Sequence, residues 1–391
     1  MKPHWIVTSD FVEIAKMPFY WRLSGSTQGS PNIDQTMPIR VTIDREFDYL
    51  RFKPTELEWA NMNRAYQMNE NIGFLNPESG QMDTYGSSVN RFFLNEIQRF
   101  SPKVAYEIGC GAGFSIEYLK ANGYTAVGID PSEYSKKWSE KLGFELINDY
   151  FGQDSIEKPA EFIYCNDVFE HIPDVVRFSE QVFSCLSDGG VFCFSTTNST
   201  QSIELGDISQ FEHQHVNMFT TRSIQRILSS AGFSDIQIRG GSYGNTFHVT
   251  ARKLKGRKND VAEIGFPTCD GYFDRAAQAV TAFQGWYECT ENKKCYVPLR
   301  SLPYLATVGD FGNTPIFDSN TSWTNKFIDG YKLPINSLDS VQKNEHSNFF
   351  VGSMTFFGEI KKSLLARGVD ATNIVSIADL LHWDGPQLRA R

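Results

Sequence analysis

The stretch Val104-Ala105-Tyr106-Glu107-Ile108-Gly109-Cys110-Gly111-Ala112-Gly113-Phe114 decides how this chain is read. Its first residues form a short apolar run with strand character. Its three glycines precede a segment from Phe114 onward with helical spacing. Glycines at such a turn let the backbone take positive φ and approach a ligand closely. The free N–H groups at the start of the following helix then face that ligand. A dinucleotide fingerprint asks for glycine at position 114, where this chain has Phe114. Glu107 adds a carboxylate at the strand end, where it would repel a pyrophosphate.

The pattern continues outward. Apolar runs at 104–108, 126–129, 145–147, 162–165 and 191–195 alternate with helical stretches at 114–121, 133–142 and 175–186. Such alternation means crossover units and a parallel sheet. A helix at 221–231 and strands at 235–239 and 246–251 follow. The last two flank a turn rich in glycine (Gly240, Gly241, Gly244), so the final strand is expected to run antiparallel. Asp130 closes the second strand, 21 residues after Gly109, where an acidic side chain accepts both ribose hydroxyls. It also reads as a helix-leading acid before Pro131-Ser132. The fourth strand ends in Cys165-Asn166-Asp167-Val168-Phe169-Glu170-His171-Ile172, at the sheet edge where open α/β folds hold ligands. Tyr150-Phe151, after the third strand, are placed to flank an adenine. A carboxylate suited to an ammonium and a sulfonium, a glycine turn and a ribose acid together point to S-adenosylmethionine. Its expected contacts are Glu107, Gly109, Cys110, Gly111, Gly113, Asp130, Tyr150, Phe151 and Asn166.

The flanks read differently. Residues 1–100 are irregular, with a strand-like piece at 39–43, turn clusters at 24–32 and 76–80, and an amphipathic helix at 89–100. Basic residues Arg252, Lys253, Lys255, Arg257 and Lys258 mark a solvated linker. Beyond it, runs at 304–308, 349–352 and 374–377 read as buried strands, with a helix at 356–366. The expectation is an α/β chain in three parts: an N-terminal lid and acceptor-approach region (1–100), a Rossmann-like class I methyltransferase domain (101–253), and a smaller C-terminal α/β domain (254–391).

Composition narrows the partners. The formal net charge of −9 argues against a nucleic-acid substrate, which needs a basic footprint. Seven cysteines without a Cys-x-x-Cys pair argue against a zinc site or a disulfide framework. No apolar span is long enough for a bilayer, and the first ten residues carry no secretory core, so a cytoplasmic protein with no membrane partner is expected.

The three central pieces, in this order, resemble the class I S-adenosylmethionine-dependent methyltransferases. His213-Gln214-His215-Val216-Asn217-Met218-Phe219-Thr220 is similar to the His-Glu-His-Leu-x-Tyr-Phe-Ser stretch of nucleotide-sugar C-methyltransferases. Tyr85-Gly86-Ser87-Ser88 and His171 match that family in position, as do Gly309-Asp310-Phe311-Gly312-Asn313-Thr314 and the runs after them. The likeness covers about residues 65–380. Residues 1–100 contain no cysteine, so that family's Cys-rich zinc-binding domain is not expected in them. Its tyrosine before the motif is Glu212 here, its motif glutamate is Gln214, and its alanine before the post-strand-four histidine is Glu170.

The resemblance implies C-methylation of a small-molecule acceptor, a sugar or nucleotide-sugar. Methyl transfer to a group that must lose a proton needs a base, and histidine suits that role. His215 is the first candidate and His171 the second. Tyr85, a lid aromatic, and Glu212 and His213 are expected on the acceptor side. Each histidine also has a packing reading. Histidines 213 and 215 face opposite ways in extended chain, so one of them faces the cleft. A metal on Glu212, His213 and His215 is not expected, because further ligands are missing. Two alternatives stay open: O-methylation of a saccharide or another hydroxylated metabolite, and a non-catalytic cofactor-binding scaffold.

Overall fold

The computed structural model describes residues 4–21, 23–26, 32–68, 85–152, 154–156, 159–241, 245–256, 267–341 and 346–382. Gly244, Arg257, Lys258 and the turn at 76–80 lie outside them.

The middle of the chain builds a seven-stranded sheet. Its strands are β1 (Ala105–Ile108), β2 (Ala126–Ile129), β3 (Glu145–Ile147), β4 (Ala160–Asn166), β5 (Leu186–Thr197), β6 (Ser234–Gly240) and β7 (Thr246–Arg252). They lie side by side in the order β6-β7-β5-β4-β1-β2-β3. β1 to β5 pair in parallel, and β7 runs antiparallel to β5 and β6, as the glycine turn suggested. Helices cover both faces, so the central strands are apolar on both sides; β4 buries Phe162, Ile163, Tyr164 and Cys165.

Helices lead into the sheet, join its strands and cover its faces. They are α1 (Ser87–Phe100), α2 (Phe114–Ala121), α3 (Glu133–Leu142), α4 (Val175–Cys185) and α5 (Thr221–Ser230). Ser132 caps α3, Asp174 caps α4, and Thr220 forms a reciprocal capping box with Ser223 on α5. Such caps satisfy N–H groups that the helix itself leaves free. Because β1 to β5 are parallel, their C-terminal ends, and the loops that leave them, share one edge.

Residues 1–100, read as irregular, contain a sheet. Trp5–Val7, Phe11–Pro18, Thr36–Asp44 and Tyr49–Phe52 pair antiparallel in sequence order. Its fifth strand comes from the middle of the chain: Asn217–Met218 pairs with Arg51 and Leu50. That partner lies more than 160 residues away, so no local pattern joins it to the sheet.

The C-terminal part holds α6 (Tyr272–Cys289), α7 (Pro298–Thr307), α8 (Phe357–Ala366) and a second parallel sheet. Its strands are β8 (Lys293–Tyr296), β9 (Ile316–Asp318), β10 (Ile335–Ser337), β11 (Asn348–Val351) and β12 (Ile374–Val375), ordered β10-β9-β8-β11-β12. The expected strand at 304–308 is a correction. Its apolar run is the buried face of α7, which starts with Pro298 at its N-terminus and tolerates Pro303. Short apolar runs do not separate a strand from a buried helix. The strand nearby is β8, disguised by Lys293 and Lys294. The run at 374–377 is likewise split between β12 and a short helix, Ile377–Leu381.

Two contacts tie the parts together. Val12, Ile14, Phe19, Ile39 and Val41 of the N-terminal sheet share one core with Tyr272, Phe283, Leu302 and Tyr304. Asp207, 2% exposed, accepts hydrogen bonds from Ser209 N–H (2.8 Å), the Ser209 hydroxyl (2.7 Å), the Ser202 hydroxyl (3.2 Å) and the Tyr304 hydroxyl (2.8 Å). Its carbonyl takes the Tyr272 hydroxyl at 3.3 Å. Among the described residues no helix is long and apolar enough to cross a membrane.

A buried hydrogen bond to a carboxylate is worth about 1.5–3 kcal/mol. Tyr304→Phe removes one donor from Asp207 with little change of volume. It is expected to lower unfolding free energy in urea by that amount, whereas an unchanged midpoint would mean that Asp207 is not a structural hub.

Candidate active site

The glycine turn and Asp130 form one unit. Gly109, Gly111 and Gly113 take φ of 68°, 52° and 73°. A Cβ at Gly109 would stand 2.6 Å from Val168 Cγ2, and one at Gly113 would stand 2.2 Å from Phe144 Cε1. Space and backbone angle both demand glycine there. Asp130 Oδ2 accepts the Gly111 N–H at 3.0 Å, and its Oδ1 accepts the Ser132 N–H at 2.9 Å and hydroxyl at 2.6 Å. The carboxylate thus braces the turn and the start of α3. Carboxylate oxygens have further lone-pair capacity, and Oδ2 carries a single bond here, so room for a ribose hydroxyl remains.

Glu107 is 2% exposed and accepts the Tyr164 hydroxyl at 3.1 Å. Burial pushes its carboxyl up to about 8, and the charge of Asp130 acts in the same direction. Cys110 is buried as well, and burial raises its thiol far above the usual range. Of the two aromatics expected at the adenine, Phe151 packs edge-on against Phe178 with ring centres 5.7 Å apart, while Tyr150 is 70% exposed.

At the end of β4 the Asn166 amide donates to Asp167 Oδ2 at 2.9 Å, and the Tyr85 hydroxyl donates to Asp167 Oδ1 at 2.6 Å. Tyr85 is therefore a buried strut rather than the lid aromatic expected from sequence, because its hydroxyl has found a carboxylate to hold. Asp167 itself takes a left-handed φ of 50°. Burial lifts its carboxyl to about 7, helped by the nearby charge of Glu170.

The acid–base groups gather one turn further on. His171 and His215 stand edge to face with ring centres 4.8 Å apart. His171 Nδ1 lies 2.9 Å from the Gln214 carbonyl oxygen and 2.8 Å from the Tyr66 hydroxyl. A carbonyl only accepts, which assigns the proton to Nδ1 and leaves Nε2 as the basic lone pair. Glu170 is fully buried; its Oε2 accepts the Thr196 hydroxyl at 2.8 Å, while Oε1 has no hydrogen-bond partner among the described residues. Burial lifts Glu170 to about 7.

His215 Nε2 lies 3.2 Å from Glu212 Oε1. That contact would pair opposite charges if the imidazole were protonated. Burial, then His171, then the Arg300 guanidinium hold the His215 pKa well below its ordinary value. The contact is therefore one of a neutral imidazole with a carboxyl whose own pKa burial raises. Burial also lowers His171.

His213 is a correction. Expected on the acceptor side, it is 2% exposed, wedged between Phe19 and Phe52, with Nε2 3.2 Å from the Met37 carbonyl. The two-residue alternation sends it into the N-terminal sheet and His215 toward His171 and Glu212. A candidate ligand set forms without His213. Glu170, His171 and His215 offer one ligand atom each, all within 4.8 Å of one another, a set able to hold a divalent cation. Sequence reading missed Asp167, Glu170, Tyr66 and Arg300. The signal for the first two was present in the spacing Asp167-x-x-Glu170-His171, which sets two carboxyls and an imidazole on one turn.

A family model described as a methyltransferase domain matches residues 81–238. The chain is 28% identical over 181 residues to the ubiquinone biosynthesis O-methyltransferase of Actinobacillus pleuropneumoniae, covering 43% of this chain and 67% of that protein. It is 25% identical over 167 residues to the enzyme of the same name from Idiomarina loihiensis, covering 38% and 69%. Among solved structures it is similar to human N-acetylserotonin methyltransferase in complex with S-adenosylmethionine, at 18% identity and a TM-score of 0.41, over 52% of this chain and 60% of that one. The chain carries a class I S-adenosylmethionine-dependent methyltransferase domain. It is an enzyme of that kind, and S-adenosylmethionine is its cofactor.

Glu107, with a pKa near 8, is mostly protonated at pH 7 in the free protein. A cationic cofactor favours its ionised form, so binding should expel a proton. Calorimetry of S-adenosylmethionine binding at pH 7, in buffers of different ionisation enthalpy, is expected to show proton release, and affinity is expected to rise toward pH 8. Glu107→Gln should abolish both effects; release that persists in this variant would assign the proton elsewhere.

Proposed function

We propose that this S-adenosylmethionine-dependent methyltransferase methylates a sugar, nucleotide-linked, and that His215 is the general base that takes the acceptor's proton. The observation that carries the reading is the placement of a neutral His215 beside His171 and Glu212, on the sheet edge that also holds the glycine turn and Asp130. When bound, the cofactor supplies a methyl group already activated by its sulfonium. The chain's task is then to orient the acceptor, exclude water and receive one proton. A neutral imidazole receives it, and Glu212 at 3.2 Å offsets the positive charge that results.

The likeness of residues 213–220 to a nucleotide-sugar C-methyltransferase motif supports the sugar. So does the C-terminal parallel sheet, whose strand order reverses between β8 and β11; crevices at such reversals hold nucleotides in other α/β folds. In this reading residues 101–253 hold the cofactor, while residues 1–100 and 254–391 guide and enclose the acceptor. Glu107, Gly109, Cys110, Gly111, Gly113, Asp130, Tyr150, Phe151 and Asn166 form the cofactor side, with Tyr85 and Glu212 toward the acceptor.

A second reading is O-methylation of a small hydroxylated acceptor. The names of the relatives favour it, and so does the Glu170-His171-His215 set, which could hold a cation that acidifies a hydroxyl. Isotope-labelled methyl groups followed into product by NMR separate carbon from oxygen as the acceptor atom.

General-base catalysis is typically worth about two to four orders of magnitude in rate. His215→Ala is expected to lose turnover by that factor while cofactor affinity stays unchanged. Because the His215 pKa is depressed, the base is ready across the neutral range, and the wild-type rate should be flat from pH 6.5 to 8. A rate that climbs through pH 7 would give the role to Asp167 or Glu170, whose carboxyls titrate there.

A further inference from the structure

Arg300 carries a fixed charge that acts on both His215 and Glu212, as a protonated His171 also does. It sits in the first turn of α7, directly after β8, the central strand of the C-terminal sheet. Its backbone is clamped there. A Cβ at Gly352, just beyond β11, would stand 2.8 Å from the Arg300 carbonyl carbon and from Ser301 Oγ. The helix start and the reversal point of the sheet are thus pressed together, and the same helix is tied to the loop that carries Glu212 and His215, the Tyr304 hydroxyl donating to Asp207 Oδ1 at 2.8 Å. The Arg300 charge acts on both groups, opposing the burial that raises Glu212 and adding to the burial that lowers His215.

Arg300 Nη1 is buried and has no hydrogen-bond partner among the described residues. No carboxylate of the described residues forms an ion pair with it; Glu212, whose pKa it lowers, is in contact with His215 instead. A buried charged donor without a partner is costly, and proteins keep such groups where a ligand completes them. Arginine's planar fork matches the geometry of phosphate and carboxylate oxygens, which it binds with two parallel N–H donors.

We propose that Arg300 is the anion anchor of the acceptor site: it pairs with a phosphate or carboxylate group carried by the acceptor and so fixes the acceptor's reacting end beside His215. The proposal rests on the reading that the acceptor approaches His215, and it narrows the acceptor to an anion. A diphosphate-linked sugar and an acidic metabolite share this chemistry.

The test uses the full chain loaded with S-adenosylhomocysteine, with inorganic pyrophosphate and malonate titrated separately by calorimetry. At least one anion is expected to bind the wild type, and Arg300→Gln should weaken that binding tenfold or more. Arg300→Lys should retain part of it, since it keeps the charge and loses the fork. S-adenosylhomocysteine affinity should be equal in all three proteins, which reports an intact fold. Tighter pyrophosphate identifies a phosphorylated acceptor, and tighter malonate a carboxylated one. If Arg300→Gln does not fold, Arg300→Lys carries the test through a several-fold loss. Absence of anion binding in the wild type, or equal binding in the variants, overturns the anchor. Neither result touches the base reading, which the turnover of His215→Ala decides by itself.

Discussion

The segment from Gly206 to Phe219 is pinned at both ends by parts of the chain far away in sequence, and the site depends on that constraint. At its start the Asp207 carboxylate gathers donors from Ser202, Ser209 and Tyr304, which binds the loop to α7. At its end Asn217–Met218 becomes the edge strand of the N-terminal sheet, and the Phe52 N–H donates to the Val216 carbonyl at 2.9 Å. Between these anchors lie Glu212, His213 and His215. An unpinned loop would spread the imidazole of His215 over many positions; here its orientation is paid for by burial and hydrogen bonds elsewhere. Preorganisation of this kind lets a base meet a proton without rearrangement at the moment of transfer.

The same edge brings together groups with opposite electrostatic tendencies. Burial raises Glu107, Asp167 and Glu170 and lowers His171 and His215. Near pH 7 the cleft therefore holds neutral imidazoles and carboxyls that are neutral for much of the time. Charge is withheld until a ligand arrives, which suits a site that receives a cationic cofactor on one side and, by our proposal, an anion on the other. Linkage gives this arrangement a sign. The raised carboxyls carry protons in the fold that the unfolded chain has lost, so their contribution to stability declines as pH rises from about 4 toward 8. The histidines, neutral in the fold, add stability as pH rises to about 6.5. The two trends oppose each other below that pH, and only the decline remains above it.

Much of the central domain was legible from sequence. The run 104–108 with its glycines, Asp130 at the end of β2 and the helix segments 114–121 and 133–142 carry their structure in local period and capping chemistry, and they fold as read. The rest is governed by distant partners. The fifth strand of the N-terminal sheet was illegible because its partner, Tyr49–Phe52, lies more than 160 residues from Asn217–Met218. α7 was misread because Tyr304, Leu305 and Ala306 are buried all round, which hides helical periodicity. Glu170 was read in the stretch that ends β4 and as a departure from a family pattern; its approach to His215, 45 residues on, brings their ligand atoms within 4.8 Å and is not shown by local spacing. Tyr85 was taken for a lid because no sequence rule aims its hydroxyl at Asp167.

The central claim is that the methyl donor and the base share one edge of the sheet. A crystal structure of the full chain with S-adenosylhomocysteine bound tests it most directly. The ribose is expected on Asp130, the amino-acid end over the Gly109–Gly113 turn, and the sulfur facing the gap between Glu170 and His215. A sulfur that points away from both histidines, toward Phe151 or solvent, would contradict it.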